Sequence, residues 1–130
     1  MILPTKRLPD SELEVMLALW NSGGSAARAE FEPYLAARGW SATTVNTYLT
    51  RLLDKGFVRC ERRGKANVYT PLISREAYCA FESESVLDRL YASSVSSFVA
   101  SFCHSRPISD RQLDELQQLL DRLKEGNADA

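Results

Sequence analysis

Two neighbouring segments of the sequence carry side chains suited to contacting a nucleic acid. Between residues 41 and 51, Ser, Thr and Asn interleave with apolar residues. Between residues 51 and 65, six Lys or Arg residues stand against Asp54 and Glu61. Because hydroxyl, amide and guanidinium groups read base edges while cations neutralise phosphates, these segments together predict DNA binding. The predicted DNA-binding residues are Ser41, Thr43, Thr44, Asn46, Thr47, Arg51, Arg62, Arg63 and Lys65.

Patterns for catalysis or metal binding are weak by comparison. His104 is the single histidine, and no nucleophile stands with a base and an orienting group. Cys103-His104 offers two adjacent ligands where a metal site usually needs three or four. The sequence therefore predicts that the protein is not an enzyme and binds no metal or cofactor. It favours Cys60, Cys79 and Cys103 as packed side chains, and leaves redox sensing by them open.

Composition and length limit the class of protein. The 130 residues are 45% apolar, which is enough for a packed core. Residues 1–73 carry ten Lys or Arg against seven Asp or Glu, whereas residues 74–130 carry six against ten. The N-terminus has no signal-peptide pattern, and no apolar stretch approaches the roughly 20 residues that span a bilayer. We expect a cytoplasmic protein without membrane insertion and with a polyanion-facing first half; a solvated charged face is the alternative.

The polar segment lies on a predicted helix. Ser41 is a suitable N-cap and Gly56 a suitable stop, so we expect a third helix at about 42–55. Its apolar residues recur on one side, which leaves the Thr and Asn side chains and Arg51 on the other. Such a helix is thin enough to enter the major groove with its N-terminal side chains on base edges. We interpret it as a recognition helix.

The flanking elements complete an arrangement typical of DNA-binding domains. A first helix has Asp10 as its predicted cap, and a second is expected at about 26–37, where Pro33 predicts a kink or a late start. Two short strands follow the third helix as a hairpin, and their basic wing covers about 59–69. Three helices and a basic hairpin indicate a winged helix-turn-helix. A winged helix that serves as a protein–protein interaction adaptor, without sequence-specific DNA binding, is the alternative.

The rest of the chain has helical spacing, so the predicted fold class is mainly α (α+β). We expect a break near Ser93-Ser94 and a last helix capped by Ser109. A winged helix-turn-helix DNA-binding domain at residues 1–73 is thus followed by a helical dimerisation domain at residues 74–130.

Large apolar residues in the second half need a surface to pack against. Phe98 and Phe102 are too apolar for a free tail, and self-pairing would bury them. A monomer whose helices fold back on the first domain is the alternative. The predicted dimer-interface residues are Leu87, Leu90, Tyr91, Phe98, Val99, Phe102, Leu116 and Leu120.

Six segments, spread over about residues 8–124, have the pattern of one known family. They are Leu8-Pro9-Asp10-Ser11-Glu12-Leu13-Glu14-Val15-Met16 with Trp20, Gly39-Trp40-Ser41-Ala42-Thr43-Thr44-Val45-Asn46-Thr47, Arg51-Leu52-Leu53-Asp54-Lys55-Gly56-Phe57, Val68-Tyr69-Thr70-Pro71, Ser97-Phe98-Val99-Ala100-Ser101-Phe102 and the helix from Ser109 to Leu123. Together they resemble the penicillinase-repressor family, which includes beta-lactamase, methicillin-resistance and copper-responsive repressors.

The resemblance implies a homodimeric transcriptional repressor that occupies a palindromic operator of double-stranded DNA. The predicted residues on the third helix match the family's recognition-helix positions, and those on the hairpin match its wing. The resemblance also implies an inducing partner, because in antibiotic-responsive members a membrane-bound sensor protease leads to cleavage between Asn and Phe. The matching pair here is Ser101-Phe102, and the paired Cys-x-Cys motifs of the copper-responsive members are absent. Release by proteolysis, by a ligand or by a redox change therefore stays open.

Overall fold

A computed structural model describes residues 2–128 and divides the chain into two compact units. The first unit ends at Ser85, and the second begins at Val86. Their elements, in chain order, are α1 (Asp10–Asn21), β1 (Ala26–Ala27), α2 (Arg28–Phe31), a 3-10 segment (Glu32–Arg38), α3 (Ala42–Asp54), β2 (Val58–Arg63), β3 (Ala66–Pro71), α4 (Arg75–Leu90), α5 (Val95–Ser105) and α6 (Asp110–Ala128).

The core of the first unit lies between α1, α3 and the sheet. Helix α1 contributes Met16 and Leu19, and α3 contributes Leu49 and Leu52, all of them buried. Helical spacing brings each pair onto one face of its helix, so burial of the two faces fixes how α3 lies on α1. The opposite side of α3 is therefore left in solvent.

The start of α1 differs from the prediction. Pro9 occupies the N-cap position without a side-chain cap, and Asp10 is the first helical residue. The prediction of Asp10 as the cap is therefore wrong. Its carboxylate still lies in the first turn, where the helix dipole favours a negative charge.

The predicted second helix at 26–37 is also different. Ala26 and Ala27 form β1 and pair with Tyr69 and Val68 of β3. Only the next four residues are α-helical, and a 3-10 segment follows with Pro33 in its first turn. Because proline has no N–H and clashes with the preceding turn, the change of helix type occurs where a kink or late start was expected.

The three strands form an antiparallel sheet in the order β1-β3-β2. In the hairpin, Arg63 pairs with Ala66, so the turn consists of Gly64 and Lys65. Gly64 has φ 63, a left-handed conformation that glycine adopts at little cost. This tight turn sets the position of the hairpin tip.

Helix α4 crosses the boundary between the units. Tyr78 is buried in the core of the first unit, with ring centroids 6.0 Å from Trp20 and 5.7 Å from Phe57. Its hydroxyl accepts from the Leu8 N–H at 2.7 Å and donates to Glu82 Oε1 at 3.0 Å. Most of α4 therefore belongs to the first unit.

The second unit consists of the end of α4 followed by α5 and α6. Ala92 and Ser93 have φ values of 48 and 63, which end α4, so the break expected near Ser93-Ser94 is present. Ser94 Oγ accepts from the Ser97 N–H at 3.2 Å and caps α5. Ser109 Oγ accepts from the Gln112 N–H at 3.2 Å, which confirms the predicted cap of α6.

No helix in the described part of the chain combines the length and the apolar character that crossing a membrane requires.

Candidate nucleic-acid interface

Helix α3 presents a polar side to solvent. Thr43, Asn46, Thr47 and Arg51 are exposed, whereas the apolar side is buried in the core. The structure thus brings four of the predicted contact residues onto one accessible face. Their side chains could reach a partner without rearrangement of the core.

Ser41 is the N-cap of α3. Its Oγ accepts from the Thr44 N–H at 3.1 Å and lies 3.0 Å from Thr44 Oγ1. This cap compensates one of the free N–H groups at the start of the helix. Ser41 and Thr44 therefore stabilise the first turn of α3. Ser41 is exposed, and Thr44 is half-buried.

Two threonine hydroxyls on the exposed side donate hydrogen bonds to backbone carbonyl oxygens of the same helix. Thr47 donates to the Thr43 carbonyl oxygen at 3.1 Å, and Thr50 donates to the Asn46 carbonyl oxygen at 2.9 Å. Each hydroxyl oxygen keeps lone pairs that can accept from a partner. Thr47 and Thr50 consequently offer a partner acceptors, whereas the Asn46 amide and the Arg51 guanidinium offer donors.

Arg51 lies further along the same helix. The carbon of its guanidinium is 6.0 Å from the centroid of the Tyr48 ring. A cation placed near the face of an aromatic ring is attracted by it. This contact favours a defined position for a side chain that is otherwise exposed.

Arg28 is a member of this surface that sequence reasoning missed. Its guanidinium donates to Asn46 Oδ1 and, at 3.1 Å, to the Ala42 carbonyl oxygen. Glu32 accepts from Arg28 Nε at 3.0 Å. Only the fold brings Arg28 to α3, because 18 residues separate it from Asn46, and no local pattern indicates the contact.

The C-terminal end of α3 is held by an ion pair. Lys55 Nζ contacts Glu12 Oε1 of α1, and the Glu12 side chain is 2% exposed while that of Lys55 is 34% exposed. Lys55 is thereby paired with α1, although its own side chain stays partly exposed. Its charge compensates a buried carboxylate instead of adding a free cation to the basic surface.

The hairpin tip is basic and exposed. Arg62 Nε donates to the Gly64 carbonyl oxygen at 3.3 Å, and Lys65 lies in the turn. Glu61 lies 3.6 Å from Arg63 and 3.4 Å from Arg59. These pairs are exposed and weak, so the arginines can exchange Glu61 for another anion at little cost.

The cysteines do not pack as predicted. Cys60, Cys79 and Cys103 are all free and exposed in the described chain, so the expectation of packed side chains is wrong. On β2, alternate residues face the same side of the sheet, and Cys60 pairs with Tyr69. Burial raises the pKa of the Tyr69 hydroxyl, and the neighbouring Cys60 raises this pKa further.

Residues 2–128 contain no group of three or more His, Cys, Asp or Glu placed to hold a metal ion.

The predicted dimer-interface residues lie in the second unit, and their side chains are exposed to solvent to different extents. Leu90, Phe98, Phe102 and Leu120 are 67%, 40%, 45% and 43% exposed. The remaining members are half-buried, namely Leu87, Tyr91, Val99 and Leu116. Such a set of exposed large side chains is unusual for a helix surface that stays in water.

Known proteins resemble this chain over most of its length. A family model described as Penicillinase repressor matches residues 8–122. The Penicillinase repressor of Bacillus licheniformis is 32% identical over 122 residues, which cover 92% of this chain and 95% of that protein. The Methicillin resistance regulatory protein MecI of Staphylococcus aureus (strain N315) is 25% identical over 118 residues, which cover 91% of this chain and 96% of that protein.

A solved structure supports the architecture. The solution structure of the DNA binding domain of the repressor BlaI matches with 33% identity and a TM-score of 0.50, covering 59% of this chain and 94% of that domain. The predicted mainly α fold with a winged helix is thereby confirmed. The relatives are named as repressors and regulatory proteins and not as enzymes, in agreement with the prediction. With a family model that spans most of its residues, the chain belongs to the penicillinase-repressor family.

Proposed function

We propose that this protein is a homodimeric transcriptional repressor that binds a palindromic DNA operator. The observation that carries the proposal is the exposed polar side of α3, supported from beneath by the core, in a chain of a repressor family. Helix α3 enters the major groove, and the wing of β2 and β3 lies on the backbone. The winged-helix region of residues 1–73 binds DNA, and the helical region of residues 74–130 dimerises.

The contacts divide by chemistry. Thr43, Asn46, Thr47 and Arg51 meet base edges, because they are exposed near the part of α3 that would enter the groove. Contacts with phosphates come from the cap and the wing, which position the protein without reading sequence. The phosphate-contacting residues are Ser41, Thr44, Arg62, Arg63 and Lys65.

The exposed apolar residues of the second unit support dimerisation. Exposed leucine and phenylalanine side chains on α5 and α6 would lose their contact with water in a symmetric pair. Two copies of α3 would then lie about 34–36 Å apart, one turn of DNA, or a multiple of it, which suits a palindrome.

Release from DNA follows proteolysis, ligand binding or a redox change, and the resemblance makes cleavage after a signal from a membrane-bound sensor protease the first of these to test. Ser101 and Phe102 lie inside α5, and Ser101 Oγ accepts from the Tyr91 hydroxyl at 3.2 Å. Proteases cut helices chiefly after these open locally. Cleavage at this pair therefore depends on unfolding of α5, and mass spectrometry of the chain after co-expression with the protease detects it.

The test is the binding of the full chain to duplexes from a randomised library, followed by fluorescence anisotropy at several salt concentrations. We expect enrichment of a palindrome and a fall in log K with log salt of about 0.9 per phosphate contact. Arg111→Ala, on α6, removes one exposed cation remote in sequence from the wing and should leave the slope unchanged. Absent or salt-insensitive binding would support the adaptor alternative and overturn the proposal.

A further inference from the structure

Arg28, the first residue of α2, is fixed against the first turns of α3. Its guanidinium donates to the Ala42 carbonyl oxygen at 3.1 Å and to Asn46 Oδ1. Glu32 Oε1 accepts from Arg28 Nε at 3.0 Å and lies 2.9 Å from its Nη2. The Arg28 side chain is 23% exposed, so contacts with three different residues hold it in place.

This contact sets the orientation of the Asn46 amide. A guanidinium carries only donors, so the group of Asn46 that faces it must be the oxygen. The amide nitrogen, with two hydrogens, then points away from Arg28. A flip of the amide would set donor against donor beside a positive charge, which makes that alternative unfavourable.

An asparagine held in this way has a restricted set of partners. Pairing with adenine uses both ends of the amide, since Oδ1 accepts from N6 while Nδ2 donates to N7. Here the Arg28 guanidinium takes one of the two acceptor positions of Oδ1 and lies beside it, which hinders the coplanar approach of adenine N6. It also polarises the amide so that Nδ2 becomes a better donor. Guanine offers N7 and O6 in the major groove, and thymine offers O4, all of them acceptors.

We propose that Arg28 is a specificity-determining positioning residue. By holding Asn46 Oδ1, it turns the amide nitrogen of Asn46 toward DNA, where this nitrogen donates to a guanine or a thymine at one position of each half-site. The inference rests on the proposed function. It adds α2 to the surface that determines which operator is bound.

The experiment compares base preference among variants. The best duplex from the randomised library and its single-base changes are titrated with the wild type, Arg28→Ala, Asn46→Ala and the double variant. The wild type should prefer guanine or thymine over adenine at one position per half-site by about five- to 150-fold. Asn46→Ala should remove the preference at that position alone.

Arg28→Ala should relax the same preference because the freed amide can pair with adenine. Adenine should come within about twofold of the preferred base, and the double variant should behave as Asn46→Ala. Arg28→Lys keeps a charged donor but lacks the planar fork that contacts both Ala42 and Asn46, so it should relax the preference less than Arg28→Ala does. A purely structural role for Arg28 would weaken all duplexes alike and leave the preference intact.

Arg38→Ala is the matched control, since it removes one cation of the 3-10 segment that pairs with Glu14 of α1. It should leave the preference unchanged. An unchanged preference in Arg28→Ala and Arg28→Lys overturns the inference, as does a wild-type preference for adenine at the position read by Asn46. Equal weakening of every duplex by Asn46→Ala also overturns it, because that result indicates a phosphate contact. If the wild type enriches no sequence, the proposed function itself fails.

Discussion

Arg51 and Arg63 carry the same charge in different surroundings. Arg51 lies on α3 beside the Tyr48 ring, whereas Arg63 lies in the wing and shares Glu61 with Arg59. A side chain on the recognition helix can read a base, and one on the wing is placed to neutralise a phosphate. The two arginines should therefore contribute differently to specificity.

We predict that Arg51→Ala weakens binding to the selected operator by about 1–3 kcal/mol and binding to unrelated DNA far less. Arg63→Ala should weaken both to a similar degree and reduce the salt slope by about 1. Anisotropy titrations with the two duplexes measure these effects. Equal losses for the two variants on both duplexes would contradict the division of contacts.

Tyr78 should make the free energy of unfolding depend on pH in the alkaline range. Burial, more than any other cause, raises the pKa of Tyr78 to about 12, and Glu82 raises it too, while the Leu8 N–H opposes this. The unfolded chain ionises this tyrosine near pH 10, so the folded state is favoured fully below pH 10. That contribution, about 2–3 kcal/mol, should be lost as the pH rises from 10 through 12.

Tyr78→Phe should remove the part of the alkaline pH dependence that comes from Tyr78 and leave the part that comes from Tyr69. It should also lower the free energy of unfolding at neutral pH by about 1–3 kcal/mol, because the buried Leu8 N–H loses its acceptor. Urea unfolding between pH 8 and 12 tests both statements. Tyr34→Phe is the control, since Tyr34 is 55% exposed. If both variants keep the same alkaline profile as the wild type, another group is responsible.

At the scale of the elements, the ion pair of Glu12 and Lys55 ties α1 to the end of α3. Lys55→Ala leaves the buried carboxylate of Glu12 without a cation, which should cost about 3 kcal/mol of stability. Arg38→Ala breaks the more exposed pair with Glu14 and should cost less than about 1 kcal/mol. Urea unfolding at neutral pH measures both, and similar losses would mean that burial of Glu12 is unimportant.

Elements with a strong local signal could be predicted from the sequence. The cap at Ser41 and the alternation of faces on α3 depend on neighbours within one or two turns, and both are present. β1 is two residues long and forms only because β3 lies beside it, so no periodicity could indicate it. The contact of Arg28 with Asn46 and the exposure of Cys60 likewise depend on which elements meet in space.

At the scale of the whole molecule, the exposed apolar residues of α6 should decide the oligomeric state. Leu120→Glu should convert the protein into monomers, because a carboxylate would be buried in the pair. Affinity for the palindrome should then fall at least about tenfold, since two half-sites no longer bind as one unit. Sedimentation equilibrium and anisotropy titrations measure the two effects.

Gln118→Glu is the matched control for that change. It adds the same charge two residues earlier, on the opposite side of α6, where no predicted interface residue lies. It should leave both the mass and the affinity unchanged. A dimeric Leu120→Glu protein, or a wild type that is monomeric, would show that α6 does not form the interface.

The charges of the wing have a second consequence, which concerns aggregation. Strand β2 ends the sheet, and five of its six residues are exposed. The open backbone of such an edge can pair with another chain, and charged side chains are what usually prevents it. Replacement of Arg59, Arg62 and Arg63 by alanine should therefore promote strand pairing between molecules, and it should also weaken phosphate binding. Arg62→Glu and Arg63→Glu keep a charged side chain on the edge but repel phosphates, so these variants separate the two effects.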